Sequence, residues 1–312
     1  MPTAIHAPAV QLKSVLIATD FSPVSEKPLR HALAIAHHFG AKFTIAHVVS
    51  SLGLDMAGPE AVAVVEDAVR RDAARLESEL TASGALTGLR HQTILRHGDV
   101  WKELEGIIRS EAVDLVVIGT HGRRGVGKLL LGSVAEQIFR HADCPVLTVG
   151  PGSYREAHVG SVPASRTLLF PTDFSETSRH ALPHAVAFAN RFGAQLIFLH
   201  VVPAIPMPKG YQWYTASDLM QMRENAREER FRRLDGLAHD SCLDVKPDCV
   251  VEFGSASSVS EMILESAHRL NADGIVMGLH QHKHVGTTSH LPWATAYEVV
   301  CGAGCPVLTV KS

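Results

Sequence analysis

The sequence predicts an α/β protein made of two tandem Rossmann-like domains, each an open five-stranded parallel sheet with helices on both faces. Three observations lead there. Short apolar, β-branched runs alternate with longer segments of helical periodicity, the pattern of parallel strands joined by crossover helices. A glycine-rich stretch follows one of those strands and opens a helix. The whole order then occurs a second time, and Cys144 to Val149 (CPVLTV) returns without change as Cys305 to Val310.

Residues Met1 to Gln11, with Pro2 and Pro8, read as an irregular lead-in. Ser14 to Thr19 (SVLIAT) is the first buried strand and ends at Asp20-Phe21-Ser22-Pro23. Ser22 is the expected N-cap and Pro23 the first helical residue of a helix that reaches Phe39 and stops at Gly40. Lys42 to Val49 (KFTIAHVV) is a second strand. A helix from Pro59 to Ser83 follows, with Val62, Val65, Val69 and Leu76 along one side. Arg90 to Arg96 is the third strand, and Asp99 caps a helix from Val100 to Glu111. Asp114 to Ile118 (DLVVI), bounded by glycine, is the fourth. Ser133 to His141 carries Val134, Ile138 and Phe139 at helical spacing, and Pro145 to Val149 is the last strand.

A segment rich in glycine, serine and proline marks the linker, which divides the chain into a domain at 1–150, a linker at 151–165 and a domain at 166–312. Asp173-Phe174-Ser175 then repeats Asp20-Phe21-Ser22 at an offset of 173 − 20 = 153. Phe192-Gly193-Ala194 repeats Phe39-Gly40-Ala41 and His200-Val201-Val202 repeats His47-Val48-Val49 at the same offset. Ser258 to Glu261 has the S-x-x-E form of a capping box, and a highly charged helix is expected from Ala216 to His239.

The 312 residues are enough for two domains that each bury a core. A formal net charge of −3 supplies neither a basic field for nucleic acid nor a polybasic membrane anchor. Apolar runs such as Leu115 to Ile118 fall far short of the roughly 20 residues that a membrane helix needs. With no signal-peptide pattern at Met1 to Gln11, a cytoplasmic location is expected. Cys144, Cys242, Cys249, Cys301 and Cys305 form no C-x-x-C pair and read as reduced thiols.

The stretch Gly119 to Val134 (GTHGRRGVGKLLLGSV) carries the chemistry. Gly119 and Gly122 let the backbone turn sharply and approach a ligand, while Gly132 and Ser133 are expected to hold free N–H groups at the positive end of a helix. That combination suits a phosphate. It is neither a Walker loop, since no Gly-Lys-Ser/Thr closes it, nor the dinucleotide glycine pattern, which follows a first strand. Read as G-x-x-G, nine residues, then G-S, it resembles the nucleotide-binding signature of the ATP-binding branch of the universal stress protein family. Asp114 to Gly122 and Cys144 to Val149 are similar to that family too, and the likeness covers nearly the whole chain, twice.

The resemblance implies ATP, with Mg(II), bound in the first domain by Thr19, Asp20, Val48, Ile118, Gly119, His121, Gly122, Gly132, Ser133 and Val134. Asp20 would accept from ribose hydroxyls, or serve only as a loop aspartate that accepts backbone N–H groups. Thr19 would offer backbone groups to the base and Val48 would touch adenine. Arg123, Arg124 and Lys128 can neutralise phosphates or simply be solvated. In the second domain Gln281 stands for Gly122 and Leu291-Pro292 for Gly132-Ser133, so a phosphate donor and a hydroxyl are lost and the anion site is expected to be gone. His280, His282, His284 and His290 lack a completing Cys or acidic ligand nearby, and no metal site is expected. The loop Pro203 to Tyr214 reads as packing on its neighbour.

The family likeness also implies an intramolecular pseudo-dimer through Pro145 to Val149 and Pro306 to Val310, and a further homodimer. The expected function is a nucleotide-dependent stress-response regulator. Two alternatives stay open: an interaction module that binds no nucleotide, and a slow ATP hydrolase, for which no carboxylate pair or activated nucleophile is evident.

Overall fold

A computed structural model describes residues 10–52, 58–120, 131–151, 166–203, 215–254, 258–280 and 293–312. Its elements alternate as expected. The strands are β1 (Ser14–Ala18), β2 (Lys42–Ser50), β3 (His91–Gly98), β4 (Leu115–Gly119), β5 (Val146–Val149), β6 (Thr167–Pro171), β7 (Gln195–Val202), β8 (Asp248–Phe253), β9 (Gly274–Leu279) and β10 (Val307–Lys311). The helices are α1 (Glu26–Phe39), α2 (Pro59–Ala82), α3 (Val100–Ser110), α4 (Ser133–His141), α5 (Glu176–Phe192), α6 (Ala216–His239), α7 (Val259–Arg269) and α8 (Ala294–Gly302). Two compact bodies result. One contains the described residues between Gln11 and Pro163 together with Val300–Thr309, the other those between Ala164 and Val299 together with Val310–Ser312.

In the first body the strands run in the order β3-β2-β1-β4-β5, all parallel. β1 is buried between two neighbours, with Ala18 level with Ala46 on one side and Ile118 on the other. Val15, Leu16 and Ile17 are completely inaccessible to solvent, as are Phe43 and Leu115 to Val117. Asp114 pins the start of this layer, accepting the Lys13 and Ser14 N–H groups at 2.7 and 3.0 Å. Asp99 caps α3 as expected, taking the Lys102 N–H at 2.9 Å, and Gly40 ends α1 at φ 65°. Ser22 differs: a short 3-10 turn over Pro23–Ser25 precedes α1, and the Ser22 hydroxyl turns back to Asp20 instead of capping.

In the second body β9-β6-β7-β8 are parallel in the equivalent order. Asp273 accepts from Thr167 N–H as Asp114 does from Ser14. Phe170 and Phe198 meet edge to face at 5.6 Å, and Ser258 with Glu261 forms the expected capping box on α7. The parallel pairing ends at β5. Val307, Leu308 and Thr309 of β10 group with the first body and lie antiparallel to Thr148, Leu147 and Val146 of β5. The repeated Val-Leu-Thr sequence explains this: Thr148 donates its hydroxyl to the Val307 carbonyl at 3.1 Å and Thr309 donates to that of Val146 at 3.2 Å. A strand that matches its partner in this way covers the edge of β5.

The cysteines are free thiols. Burial pushes Cys144 and Cys249 up to about 11, so both stay protonated and unreactive near neutral pH.

Candidate functional site

The strand order changes direction beside β1: the chain passes from β1 to β2 on one side, and β4 arrives on the other. Such a switch point leaves a crevice beyond the carboxyl ends of the strands. The ends of β1 and β4 bring Thr19 and Asp20 beside Ile118 and Gly119. Ile118 is buried, and Gly119 is level with Val149 on β5.

Thr120 then controls the loop. Its N–H donates to the Val149 carbonyl at 3.1 Å, and its own carbonyl accepts the Gly132 N–H at 2.8 Å. The first hydrogen bond fixes where β4 stops; the second draws the start of α4 back against it. Gly119, Gly132, Ser133 and Val134 therefore converge on one end of the sheet. The expected free N–H at Gly132 is corrected, because Thr120 occupies it. The donors remaining at this terminus follow from helix geometry: Glu136 N–H makes the first intrahelical bond, to Gly132 O, so Ser133, Val134 and Ala135 have no acceptor within the helix. Gly132 has φ −59°, which any residue adopts, so its lack of a side chain is not required by the backbone. His121, Gly122, Arg123, Arg124 and Lys128 lie outside the described residues.

Asp20 is engaged within its own loop. Its Oδ1 accepts from Ser22 N–H at 3.0 Å, Ser22 Oγ at 2.5 Å and Ser25 Oγ at 2.8 Å, the arrangement of an Asx turn. Thr19 is engaged as well. Its N–H donates to Ala46 O at 3.0 Å, its carbonyl faces His47 Nδ1 at 2.6 Å and its hydroxyl accepts the Phe21 N–H at 3.0 Å. The hydrogen bond to a carbonyl requires the proton on His47 Nδ1. Phe21 sits at φ 56° with its ring 5.0 Å from that imidazole. Val48 is buried at the end of β2. Two positioning residues, His47 and Thr120, were not singled out for these roles by the sequence reading. His47 carried a signal nonetheless, since it recurs as His200 at the repeat offset.

The comparisons decide the family. The model described as the universal stress protein family matches residues 11–150 and again 164–311. The chain belongs to the universal stress protein family. A universal stress protein of Mycolicibacterium smegmatis is 30% identical over 305 residues, covering 95% of this chain and 96% of that one. One from Methanocaldococcus jannaschii is 30% identical over 140 residues, 44% of this chain and 81% of its own length. The crystal structure of a universal stress protein from Archaeoglobus fulgidus superposes with a TM-score of 0.62 over 97% of this chain and 99% of that chain, at 23% identity, which is a likeness of fold.

The second universal stress protein copy keeps the clasp of the first. Thr172 N–H donates to Leu199 O at 2.8 Å, and His200 Nδ1 donates to Thr172 O at 2.7 Å. Phe174 has φ 64° and lies 4.6 Å from the His200 ring. Asp173 Oδ1 accepts from Ser175 N–H at 3.0 Å and Ser178 Oγ at 2.7 Å. Burial works to raise the Asp173 carboxyl, but these hydrogen bonds outweigh it and hold it below the usual range. Gly278 of the second copy, at the sequence position equivalent to Gly119, is tightly packed. A Cβ there would lie 2.6 Å from the Thr177 carbonyl oxygen, so the first turn of α5 occupies the space beside it. Thr177 Oγ1 is also 2.8 Å from His280 Nδ1 and 3.1 Å from Ser312 Oγ. Gln281, Leu291, Pro292, His282, His284 and His290 lie outside the described residues. Among the described residues no group of His, Cys, Asp and Glu is arranged to hold a metal ion. No helix of the described residues is long and apolar enough to cross a membrane.

Proposed function

We propose that this universal stress protein binds ATP, with Mg(II), in its first copy and acts as a nucleotide-dependent regulator in the stress response. The observation that carries the reading is the bond from Gly132 N–H to Thr120 O, which holds the amino end of α4 against the glycine end of β4. Phosphates favour such a terminus because backbone N–H groups and the helix dipole point the same way. In this reading Ser133 and Val134 N–H, with the Gly119 and Gly122 backbone and His121, receive phosphates, while Ile118 and Val48 flank the base. Asp20 reaches ribose through its carboxylate. The copies occupy 1–150 and 166–312 with a linker at 151–165. The reciprocal Thr148 and Thr309 bonds support a pseudo-dimer closed through β5 and β10, and the protein works in the cytoplasm, with homodimerisation an added level of assembly.

The test is Gly132→Asp, which adds a carboxylate at the phosphate position without straining the backbone. ATP affinity should fall at least 100-fold while the unfolding midpoint stays close to wild type. Unchanged affinity removes the assigned site. The interaction-module reading is favoured by one observation: Asp20 and Asp173 make the same turn in both copies, so the carboxylate has a structural task without nucleotide.

A further inference from the structure

α2 and α6 occupy equivalent places, each 24 residues long and following the second strand of its copy. Aligned from their first residues, at 216 − 59 = 157, they differ beside the packed side. α2 presents Ala73, which is buried, and Leu76, which is half-buried, beside Val62, Val65 and Val69. α6 has Arg230 at the position of Ala73 and Arg233 at that of Leu76. Arg227 and Arg223 extend the series one and two turns toward the amino end.

The four arginines follow i, i+4, i+7, i+10 spacing and so form one stripe, about 15 Å long at 1.5 Å per residue. The side of the stripe is fixed by packing: Leu234 and Ala238 are buried near it, while Glu224, Glu228 and Asp235 lie exposed away from it and Glu229 lies exposed beside Arg230. α6 packs over β7 and β8. The guanidinium of Arg223 is 5.0 Å and that of Arg227 5.7 Å from the centroid of Phe253, the last residue of β8. Arg233 lies 4.2 Å from the centroid of Phe174, beyond β6. Arg230 and Arg233 are also near enough to His200 to disfavour its protonation, adding to the larger effect of burial.

Cations on aromatic faces are held in place without being neutralised. Among the described residues Arg223, Arg227 and Arg233 have no carboxylate partner, and Arg230 pairs only with exposed Glu229 at 3.2 Å. Arg223, Arg227 and Arg233 are exposed and Arg230 is half-buried, so the stripe is open to solvent, and an anion would offset its mutual repulsion. The guanidinium fork suits phosphate oxygens, and a linear stripe suits several phosphates in a row.

We infer that the second copy binds an oligophosphate chain along Arg223, Arg227, Arg230 and Arg233, over the carboxyl ends of β6 to β8. This site is separate from the glycine crevice of the first copy and does not depend on it. The shared chemistry is a row of phosphates, whether free or as the tail of a nucleotide.

Calorimetric titration of the full chain carrying Gly132→Asp with sodium tripolyphosphate, at 150 mM salt, tests it with the first crevice disabled. Saturable binding of one equivalent is expected, weakened at least tenfold by Arg223→Gln with Arg227→Gln, and likewise by Arg230→Gln with Arg233→Gln. Lysine at the same positions should retain more affinity than glutamine, which keeps the test valid if a glutamine variant folds poorly. Arg232→Gln, beside the stripe and bonded to the Glu228 carbonyl, should change binding less than twofold. Displacement of tripolyphosphate by ATP assigns the site to a nucleotide tail, and failure of ATP to displace it assigns the site to the free chain. No saturable binding, or equal loss in the Arg232 variant, overturns the inference.

Discussion

The two copies share a clasp and differ in what they build around it. In both, a histidine on the second strand holds the carbonyl that ends the first, an aspartate ties down the turn, and a phenylalanine is forced to positive φ against the imidazole. That clasp shapes the end of the sheet in both copies. The differences lie farther out. In the second copy α6 lays arginines over aromatic residues where α2 of the first presents Ala73 and Leu76. Duplication here has preserved the frame.

The sharpest way to break that comparison is Gly278→Ala. Backbone atoms of Thr177 at 2.6 and 2.8 Å from the new Cβ cannot move aside cheaply, so the variant should lose about 3 kcal/mol in urea unfolding. A loss below about 0.5 kcal/mol would mean that Gly278 has no packing role.

The second copy also carries a pH dependence. Burial pushes His184 on α5 down to about 4, and the nearby His180 adds to the shift. The unfolded chain therefore takes up this proton near pH 6.5 and the folded chain only near 4. Stability from this group is complete above pH 6.5 and declines as pH falls toward 4, by up to about 3 kcal/mol. His184→Gln should flatten the dependence across that window. A slope equal to wild type would show that His184 is not its source.

Exchange between α2 and α6 should have the smaller effect. Ala73→Arg puts a charge on a buried position with no phosphate to meet it and should cost about 2 kcal/mol. Arg230→Ala should leave the ligand-free chain as stable as wild type or more so by about 0.5 kcal/mol, since alanine is the better helix former. Equal losses in both would mean the two stripes are equivalent.

Much of the frame was legible in the sequence. Strand runs such as SVLIA and DLVVI, the αL glycines Gly40 and Gly193, the Asp99 cap and the capping box at Ser258 each depend on local chemistry, and each formed where expected. The departures all involve partners distant in sequence. Ser22 looks like a cap, but Asp20 takes its hydroxyl. The Gly132 N–H looks free until β4 brings the Thr120 carbonyl beside it. The arginine stripe was visible only as a charged helix, because its meaning depends on which side of α6 faces Phe174 and Phe253.

The central claim, that the copies have divided into one ATP site and one crevice of another kind, is tested most directly by titrating the nucleotide-stripped full chain with Mg-ATP and reading stoichiometry together with variants. One ATP per chain is predicted at the high-affinity site, lost in Gly132→Asp and retained when Arg230 and Arg233 are both glutamine. Two equivalent ATP sites, or a single site unaffected by Gly132→Asp, would contradict it.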